Sequence, residues 1–413
     1  MDSARADVLA ARSRLASGGW IPRQAEFFRH LPPPAAEVWL GDTTGAADCE
    51  ASPLAGAGWT LHPVGHAPQG RVDARWLDAA DPAQRAELFA GVPPPGEGDA
   101  APFAWAHRAL CRQGLRLRIG APDGSDAREA PTVWLQLRRQ PRAVVEAPLL
   151  VIEVAAGLRC VLIETHEREA SACGHAIVQN LQVHITLAEG ATLAHLRVAA
   201  PGAQDRIAHH VHGRLGRGAD YRQALVASDC AYHLQRTELD LHAPQASART
   251  AGALFAAGAA LEQQVQTSHA GAHTHSAVEA LVLASGTARA VVNAYTRIAP
   301  GSDDASVRQR LAGIPTGGQP KLVLRPQLEI HHDAVQAAHG ATWGSLPEEA
   351  LFYAQQRGLD ERTARALIVE GMVSALLDRC FDDPGLLQML DVEPLLARSV
   401  ARHLAATEEA IHG

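Results

Sequence analysis

Hydrophobic and polar positions alternate with a period of two through the middle of the chain. From Leu181 to Leu187 every second residue is apolar, whereas Gln182, His184 and Thr186 between them are polar. This alternation predicts a β-strand with one buried face, and it predicts that Gln182, His184 and Thr186 face water. Further short strands are predicted at VLIET, LAHLRV, YRQALVA, HLQRTELDLH, EALVLAS and ARAVVNAYTRI.

Glycines flanked by small residues separate these predicted strands, at Gly157, Gly190, Gly258 and Gly286. A long strand-rich segment of this kind favours a solenoid of stacked parallel strands, in which each coil buries its neighbour. The spacing of the glycines is irregular, so the pattern alone leaves a β-sandwich or a barrel open.

Helical patterns flank the strand-rich segment. A helix is predicted from Asp2 to Ser17, and the proline-rich sequence behind it is interpreted as mostly helical. At the other end, Ser345 and Glu348 fit a capping box, and Gly358 is placed to end that helix.

Two more C-terminal helices are predicted, from Asp360 to Cys380 and over a stretch that includes Glu393 to Ile411. In the first of them, the apolar residues fall on one face, namely Ala364, Leu367, Ile368, Met372, Ala375 and Leu376.

A shift in composition near residue 140 indicates a domain boundary. Six of the seven tryptophans precede residue 135, and 16 of the 25 prolines precede residue 149. We therefore expect an N-terminal, mostly helical region at 1–140, a strand-rich core at 141–344 and a C-terminal helical domain at 345–413.

Composition and charge exclude several classes of protein. The 413 residues are 47% hydrophobic and 20% charged, as is typical of globular proteins, and the formal net charge is −8. No run of five or more basic residues occurs, so neither nucleic acid nor an acidic membrane surface is an expected partner. The N-terminal residues contain no apolar signal core and no long apolar span follows, which predicts a cytoplasmic protein.

Common catalytic motifs are missing. Lys321 is the only lysine and follows Pro320, so no phosphate-binding P-loop is encoded. The sequence also lacks the GxSxG, HExxH and GxGxxG motifs, and its six cysteines form no CxxC pair. We interpret the cysteines as scattered buried thiols, and any enzyme hypothesis must depend on histidines.

Histidines are concentrated in the strand-rich core, since 15 of the 21 lie within residues 166–339. His210 and His212, and also His273 and His275, are two residues apart and would share a strand face. Two adjacent imidazoles can ligate a transition metal, and a solvated strand face is the alternative.

The densest polar cluster is EIHHDAVQAAHGATWG, residues 329–344. On a strand, Glu329, His331 and Asp333 would share one face, a row that could bind a divalent metal or transfer protons. An exposed strand edge is the alternative. His339 follows where the strands give way to glycine and helix.

This cluster carries a resemblance to a known family. The segment PQLEIHHDAVQAAHGATWGSLPEEALFYAQQRGL, residues 326–359, resembles the strand-to-helix signature of the SufB/SufD family of iron-sulfur cluster assembly proteins. Upstream, HAGAHTHS and ARAVVNAYTRIAPGS are similar to the preceding coils of that family, and GWIPRQAEFF near the start is weakly similar to its N-terminal stretch.

The resemblance implies a right-handed parallel β-helix, a solenoid, between an N-terminal helical region and a C-terminal helical domain. It also implies a SufB-SufD heterodimer through the β-helix and docking of the ATPase SufC on the C-terminal helices. ATP chemistry would then belong to SufC, and this chain would be a non-catalytic subunit. Its length and the lack of a cysteine-rich N-terminal region favour the SufD branch, and a homodimer of the isolated chain is left open.

The resemblance further assigns residues to the two interfaces. It places His339 at the SufB interface as a candidate ligand of iron or of a nascent, transient iron-sulfur cluster shared with SufB. Other positions assigned to partner interfaces are Glu329, Asp333 and Gly340, and on the SufC side Phe352, Tyr353, Arg357 and Gly358. Ala337 stands where the family has a cysteine. Because a cluster usually takes four ligands, mostly thiolates, this chain alone is not expected to hold one.

Two enzyme hypotheses are the alternatives. One is a β-helix enzyme acting on polysaccharide, which usually needs an aromatic-lined groove and paired carboxylates. Only three aromatic residues occur from Leu135 to Ala294, which speaks against it. The other is a metalloenzyme built on His331, Asp333 and His339.

Overall fold

A computed structural model describes residues 3–41, 58–64, 72–120, 132–141, 143–168, 175–383, 386–389 and 392–412. Helices lie at both ends of the chain: α1 Ser3–Gly18, α2 Ala36–Leu40, α3 Pro82–Leu88, α4 Ala101–Leu110, α5 Glu348–Gln356, α6 Glu361–Phe381, α7 Leu386–Met389 and α8 Glu393–His412.

Strands occupy the middle of the chain and part of its N-terminal region. Their bounds are β1 Trp59–Pro63, β2 Val72–Asp78, β3 Gln113–Ile119, β4 Val133–Arg139, β5 Val145–Glu146, β6 Leu149–Val154, β7 Arg159–Glu167, β8 Val178–Leu187, β9 Thr192–Ala200, β10 Arg206–Leu215, β11 Asp220–Ser228, β12 Tyr232–Leu241, β13 Ser247–Ala257, β14 Ala260–His269, β15 His275–Gly286, β16 Arg289–Ile298, β17 Ala305–Gly318, β18 Lys321–Ile330 and β19 Val335–Trp343.

The strands form two long sheets. One has the order β1-β4-β7-β9-β11-β13-β15-β17-β19, and the other has the order β18-β16-β14-β12-β10-β8-β6-β3-β2. From β6 onward, successive strands alternate between the sheets, and neighbours are parallel except for β1 with β4 and β2 with β3. This is a parallel β-solenoid of about seven turns, as predicted. Its predicted right-handed sense stays a prediction.

The predicted turn glycines are confirmed. Gly157, Gly190, Gly258 and Gly286 all have φ between 61° and 107°, a region that residues with a Cβ rarely adopt. The strands predicted from period-two alternation all lie within β7, β8, β9, β11, β12, β15 and β16.

Different segments cover the two outer faces of the solenoid. Helices α6 and α8 pack on the nine-stranded sheet, whereas the N-terminal segment, including α4, packs on the ten-stranded sheet. The prediction that Gln182 faces water is therefore wrong: α4 lies over β8, and Gln182 is buried. His184 is half-buried for the same reason, and Thr186 is exposed as predicted.

The N-terminal region is richer in strand than predicted. Helix α1 confirms the first predicted helix, but β1 to β4 also precede residue 140 and join the two sheets. In β2, VDARWLD, Val72, Ala74 and Trp76 alternate with Asp73 and Arg75, so the period-two signal of a strand was present but was missed.

The C-terminal helices begin and end close to the predicted residues. Helix α5 begins after Pro347, whose side chain offers no cap, so the predicted capping box with Ser345 is wrong. Gly358 has φ of 88° and follows the end of α5 as predicted. In α6, the Asp360 carboxylate accepts a 2.9 Å hydrogen bond from the Thr363 amide, but Leu367 is exposed rather than buried.

None of the helices in the described ranges is long and apolar enough to cross a membrane. The cytoplasmic location stays a prediction.

Candidate functional site

The solenoid ends in a coil whose side chains remain exposed. Strands β18 and β19 are the last strands of their sheets, so each has a free edge. In β18 only Leu324 is buried, and in β19 no residue is buried, whereas most of β16 is buried. We refer to β18, β19 and the residues 331–334 between them as the open end.

His339 lies on the side of β19 that continues the solenoid interior. It pairs in register with Gln309 of β17, and Gln309 is buried. The Gln309 amide donates to Thr296 Oγ1 at 2.9 Å and to the Gln327 carbonyl at 3.0 Å, so it points inward. Because side chains in register share a face, His339 belongs to the same inward row. It is nevertheless exposed, and neighbouring Gly340 is exposed with it.

An apolar residue at the open end shows the same contrast. Ile330 of β18 pairs in register with Ile298 of β16. Ile298 is fully buried, whereas Ile330 is 43% exposed. The open end also exposes Trp343, at the end of β19. Sequence reasoning singled out neither Trp343 nor Ile330 as part of a site. Neither residue carries a local signal of exposure, because exposure depends on the missing next coil.

Glu329 lies on the outer face of β18 rather than with His339. Its carboxylate accepts a hydrogen bond from the Tyr295 hydroxyl and interacts with His331 Nε2 at 2.6 Å and with Arg297 Nε at 3.4 Å. Hydrogen bonds from Tyr295 and His331 lower the pKa of Glu329. Burial and the nearby carboxylate raise the pKa of Tyr295 to about 12.

The predicted row of Glu329, His331 and Asp333 does not form. Strand β18 ends at Ile330, so Asp333 lies in the connection to β19, outside any strand. His332 Nε2 instead contacts the Asp303 carboxylate at 2.7 Å. No group of three His, Cys, Asp or Glu side chains in the described ranges is placed to hold a metal ion.

Helix α5 follows the open end and buries none of its residues. Phe352 and Tyr353 are 64% and 61% exposed. The Arg357 guanidinium lies over the Tyr353 ring, 5.0 Å from its centroid, and Gly358 ends this segment. The four residues assigned to the SufC side are thus adjacent and lie next to the open end in the sequence.

The middle of the solenoid encloses a buried ionic cluster that sequence reasoning missed. The Glu164 carboxylate contacts His166 Nε2 at 2.5 Å and His195 Nε2 at 2.8 Å, and Arg197 lies 3.2 Å away. The His195 ring also contacts the Tyr221 hydroxyl at 3.1 Å. Burial alone would raise the pKa of Glu164, but Arg197 and the two imidazoles hold it well below its usual range.

Burial lowers the pKa of both histidines, against the opposing effect of Glu164. We interpret this cluster as a structural element, because Glu164, His195 and Arg197 are buried and contact one another. His166 lies at its margin: it is partly buried, and its Nδ1 has no partner among the described residues. Sequence alone could not pair these residues, which lie on different coils.

Four cysteines fall in the described ranges, Cys111, Cys160, Cys230 and Cys380, and all four are free and buried. This confirms the prediction of scattered buried thiols for these four. Burial raises the pKa of Cys111, Cys160 and Cys380 to about 12, so their thiols stay protonated and are poor metal ligands. Cys49 and Cys173 lie outside the described residues.

Two of three curated relatives are named as iron-sulfur cluster assembly proteins. A SufBD family protein of that system from Synechocystis is 22% identical over 249 residues, which cover 58% of this chain and 54% of the relative. The iron-sulfur cluster assembly protein SufD of Escherichia coli is 29% identical over 102 residues, 25% of this chain and 24% of the relative. The chloroplastic protein ABCI7 of Arabidopsis thaliana is 38% identical over 56 residues, 14% of this chain and 12% of the relative.

The chain thus spans about half the length of the first of these relatives and less of the other two. The core domain of the SufBD proteins of the SUF system for FeS cluster assembly matches residues 138–372, more than half of the chain. The matched residues contain most of the solenoid, the open end and the beginning of the C-terminal helices. The chain therefore belongs to the SufBD family of the SUF iron-sulfur cluster assembly system.

Proposed function

We propose that this chain is a SufD-like, non-catalytic scaffold subunit that assembles with a SufB-like chain and with the ATPase SufC in the cytoplasm. One observation carries the proposal. The inward-facing residues of the last coil, His339 and Ile330, are exposed although their partners in register on the preceding coil are buried. A solenoid end that exposes its interior row needs a further layer to cover it.

The SufB-like chain supplies that layer in this proposal. Both sheets end on free strand edges at the open end, and unpaired edges bind other strands through backbone hydrogen bonds. Two edges side by side permit both sheets to continue into the partner. Exposed Ile330 and Trp343 add apolar surface for the same contact.

His339 contributes one ligand to iron or to a nascent cluster at this interface. The remaining ligands come from the SufB-like chain, because no cysteine lies near His339 in sequence and the four described thiols are buried elsewhere. Iron and sulfide are cargo here, shared transiently between the two subunits and held firmly by neither in isolation.

SufC docks on the C-terminal helices through Phe352, Tyr353, Arg357 and Gly358. Helix α5 is the exposed part of this domain, while α6 packs on the outer face of β11, β13 and β15. When SufC closes on ATP, it displaces these helices, shifts the interface with the SufB-like chain and exposes His339. This is a rigid-body change driven by a nucleotide bound elsewhere.

Coexpression with SufB and SufC from the same source tests the proposal. A tag on this chain recovers the complex, and its stoichiometry and iron content are measured for wild type, His339→Ala and Ile330→Asp. We expect wild type to recover both partners with iron. His339→Ala should keep the partners and lose iron, and Ile330→Asp should recover at least about tenfold less SufB because a charge then lies in the interface.

His275→Ala is the matched control, since His275 is an exposed histidine at the start of β15, on the outward row and two strands from β19. A monomer that ignores both partners contradicts the scaffold role, and a homodimer alone contradicts the choice of partner. Unchanged iron in His339→Ala contradicts the ligand role. Stoichiometric metal on the isolated chain would favour the metalloenzyme instead.

A further inference from the structure

A cavity of about 350 Å³ lies between the N-terminal segment and the outer face of the ten-stranded sheet. Helix α4 and the proline-rich residues 92–98 form its roof, and β8, β10 and β12 form its floor. The cavity is separated from the open end by intervening strands of the sheet, and the proposed scaffold role does not use it. Its volume falls within the range of pockets that bind small molecules.

Three nearly parallel imidazole rings cross the floor. The rings of His184 and His212 are 4.8 Å apart with an interplanar angle of 16°, and those of His210 and His212 are 6.5 Å apart at 8°. Ring nitrogens coordinate metals in the ring plane, so parallel stacked rings do not converge on one ion. The pair His210 and His212 is thus poorly arranged for the metal site that its spacing suggested.

A chain of hydrogen bonds surrounds His212. The Phe103 carbonyl accepts from Asn180 Nδ2 at 2.8 Å, which leaves Asn180 Oδ1 to accept from Gln182 Nε2 at 3.3 Å. Gln182 Oε1 then faces His212 Nε2 at 3.0 Å, and Glu238 Oε2 faces His212 Nδ1 at 3.1 Å. Both ring nitrogens of His212 are therefore already engaged, and the ring has no free hydrogen-bonding capacity for a ligand.

The two outer rings have unused hydrogen-bonding capacity. His210 is 2% exposed and lines the cavity, and its Nε2 has no partner among the described residues. His184 also makes no hydrogen bond within the described part of the chain. Burial holds the pKa of both rings well below the usual value, so each is neutral and offers one donor and one acceptor.

Two guanidinium groups and one carboxylate line the cavity. They belong to Arg108, Arg236 and Glu238. Arg236 and His212 both contact Glu238, at 2.5 Å and 3.1 Å, and Asp7 contacts Arg108 from outside the lining. The roof is apolar: its side chains include Phe89, Val92, Ala101 and Ala104 and the prolines at 93–95.

We propose that this cavity binds a small carboxylic acid with a flat apolar body. The apolar body lies against the roof, and the carboxylate lies on the floor, where it accepts hydrogen bonds from His184 and His210 in a cavity that Arg108 and Arg236 also line. A buried donor without a partner is costly, and such a ligand supplies the missing acceptor.

Isothermal titration of the full chain with 2-naphthoate tests this site, and 2-naphthalenemethanol serves as the neutral analogue of the same shape. We expect saturable binding of one naphthoate per chain, with the alcohol binding at least about tenfold more weakly. Two variants, His184→Ala and Ala104→Phe, should each lower the naphthoate affinity at least about tenfold, the first by removing a donor and the second by filling the cavity.

His275→Ala should bind like wild type, and thermal unfolding shows whether each variant is folded. Ala104→Phe keeps the test decisive if His184→Ala fails to fold. No saturable binding by wild type, equal binding of acid and alcohol, or wild-type affinity in Ala104→Phe would each overturn the proposal. None of these measurements needs SufB or SufC, so the proposed cavity site and the proposed scaffold role are tested independently.

Discussion

His195 and His339 lie on the same inward row of the solenoid, but His195 is on β9 in the middle of the nine-stranded sheet and His339 is on β19 at its end. Successive register pairs connect His195 through Gln223, Thr250 and then β15 and β17 to His339. His195 is fully buried and contacts Glu164 and Tyr221, whereas His339 is exposed and makes no hydrogen bond within the described residues.

The difference is in what lies beyond each residue. On the His195 side, further coils follow, and antiparallel strands β1 and β2 end the two sheets. On the His339 side the coils stop at free edges. A histidine on this row is therefore a structural residue where a further coil covers it, as at His195. Where no coil covers it, as at His339, it stays available to a partner.

Two tryptophans near the two ends give the largest expected effect. Trp59 of β1 is fully buried, with the Arg139 guanidinium 5.4 Å from its ring, whereas Trp343 is 56% exposed. We expect Trp59→Ala to lower the free energy of unfolding by about 3–5 kcal/mol, because it leaves a cavity in the core. Trp343→Ala should change it by less than about 0.5 kcal/mol. Urea denaturation of the isolated chain measures both.

If Trp59→Ala and Trp343→Ala lowered the free energy of unfolding equally, the distinction between the covered end near Trp59 and the open end would be contradicted. A loss in Trp343→Ala alone would mean that the open end is covered in solution, for example by a second copy of the chain. Measurement at two protein concentrations separates these cases, since dimer stability depends on concentration.

The two histidines themselves give the next largest effect. His195→Ala removes a buried ring and leaves Glu164 and Tyr221 short of a partner, so we expect a loss of about 2–4 kcal/mol. His339→Ala should stay within about 0.5 kcal/mol of wild type in the isolated chain. The same urea titration measures the change. A large loss in His339→Ala would make that residue structural and weaken its assignment as a ligand.

Period-two alternation and turn glycines predicted the strands and the solenoid, because both signals are local. Which faces are covered depends on distant segments, and there prediction failed. Gln182 alternates like a solvent-facing residue, yet α4 buries it from about 80 residues upstream. Leu367 fits an apolar helix face, yet the neighbouring elements leave it 52% exposed.

The candidate site was predicted only in part, because the exposure of its residues also depends on distant segments. The resemblance identified His339, and in the structure its row is buried from β4 to β17 and exposed at β19. The row of Glu329, His331 and Asp333 failed because it assumed that β18 continues past Ile330. A strand end of this kind depends on pairing with β16, which sequence alone does not show.

A covered carboxylate with no close cation extends the comparison to the pH dependence of stability. Glu262 is fully buried on β14, where its Oε1 accepts from Gln264 and Asn293 while Oε2 has no partner among the described residues. Burial raises its pKa from 4.5 to about 8, so the folded state keeps a proton that the unfolded state releases. Wild-type stability should therefore fall, relative to Glu262→Gln, as pH rises from 4.5 to 8, and the difference should be constant above 8.

Glu153 provides the matched control for this pH dependence. Burial raises the pKa of its carboxyl, but hydrogen bonds from Arg118 and Arg116 outweigh burial and lower it. Its stabilising contribution is therefore present above pH 4.5 and lost below it, so Glu153→Gln should differ from wild type by a constant amount between pH 5 and 8. Urea titrations across that range measure both variants. If the difference in free energy of unfolding between wild type and Glu262→Gln were also constant across this pH range, Glu262 would ionise normally. A buried carboxylate would then not need a charged partner at this position.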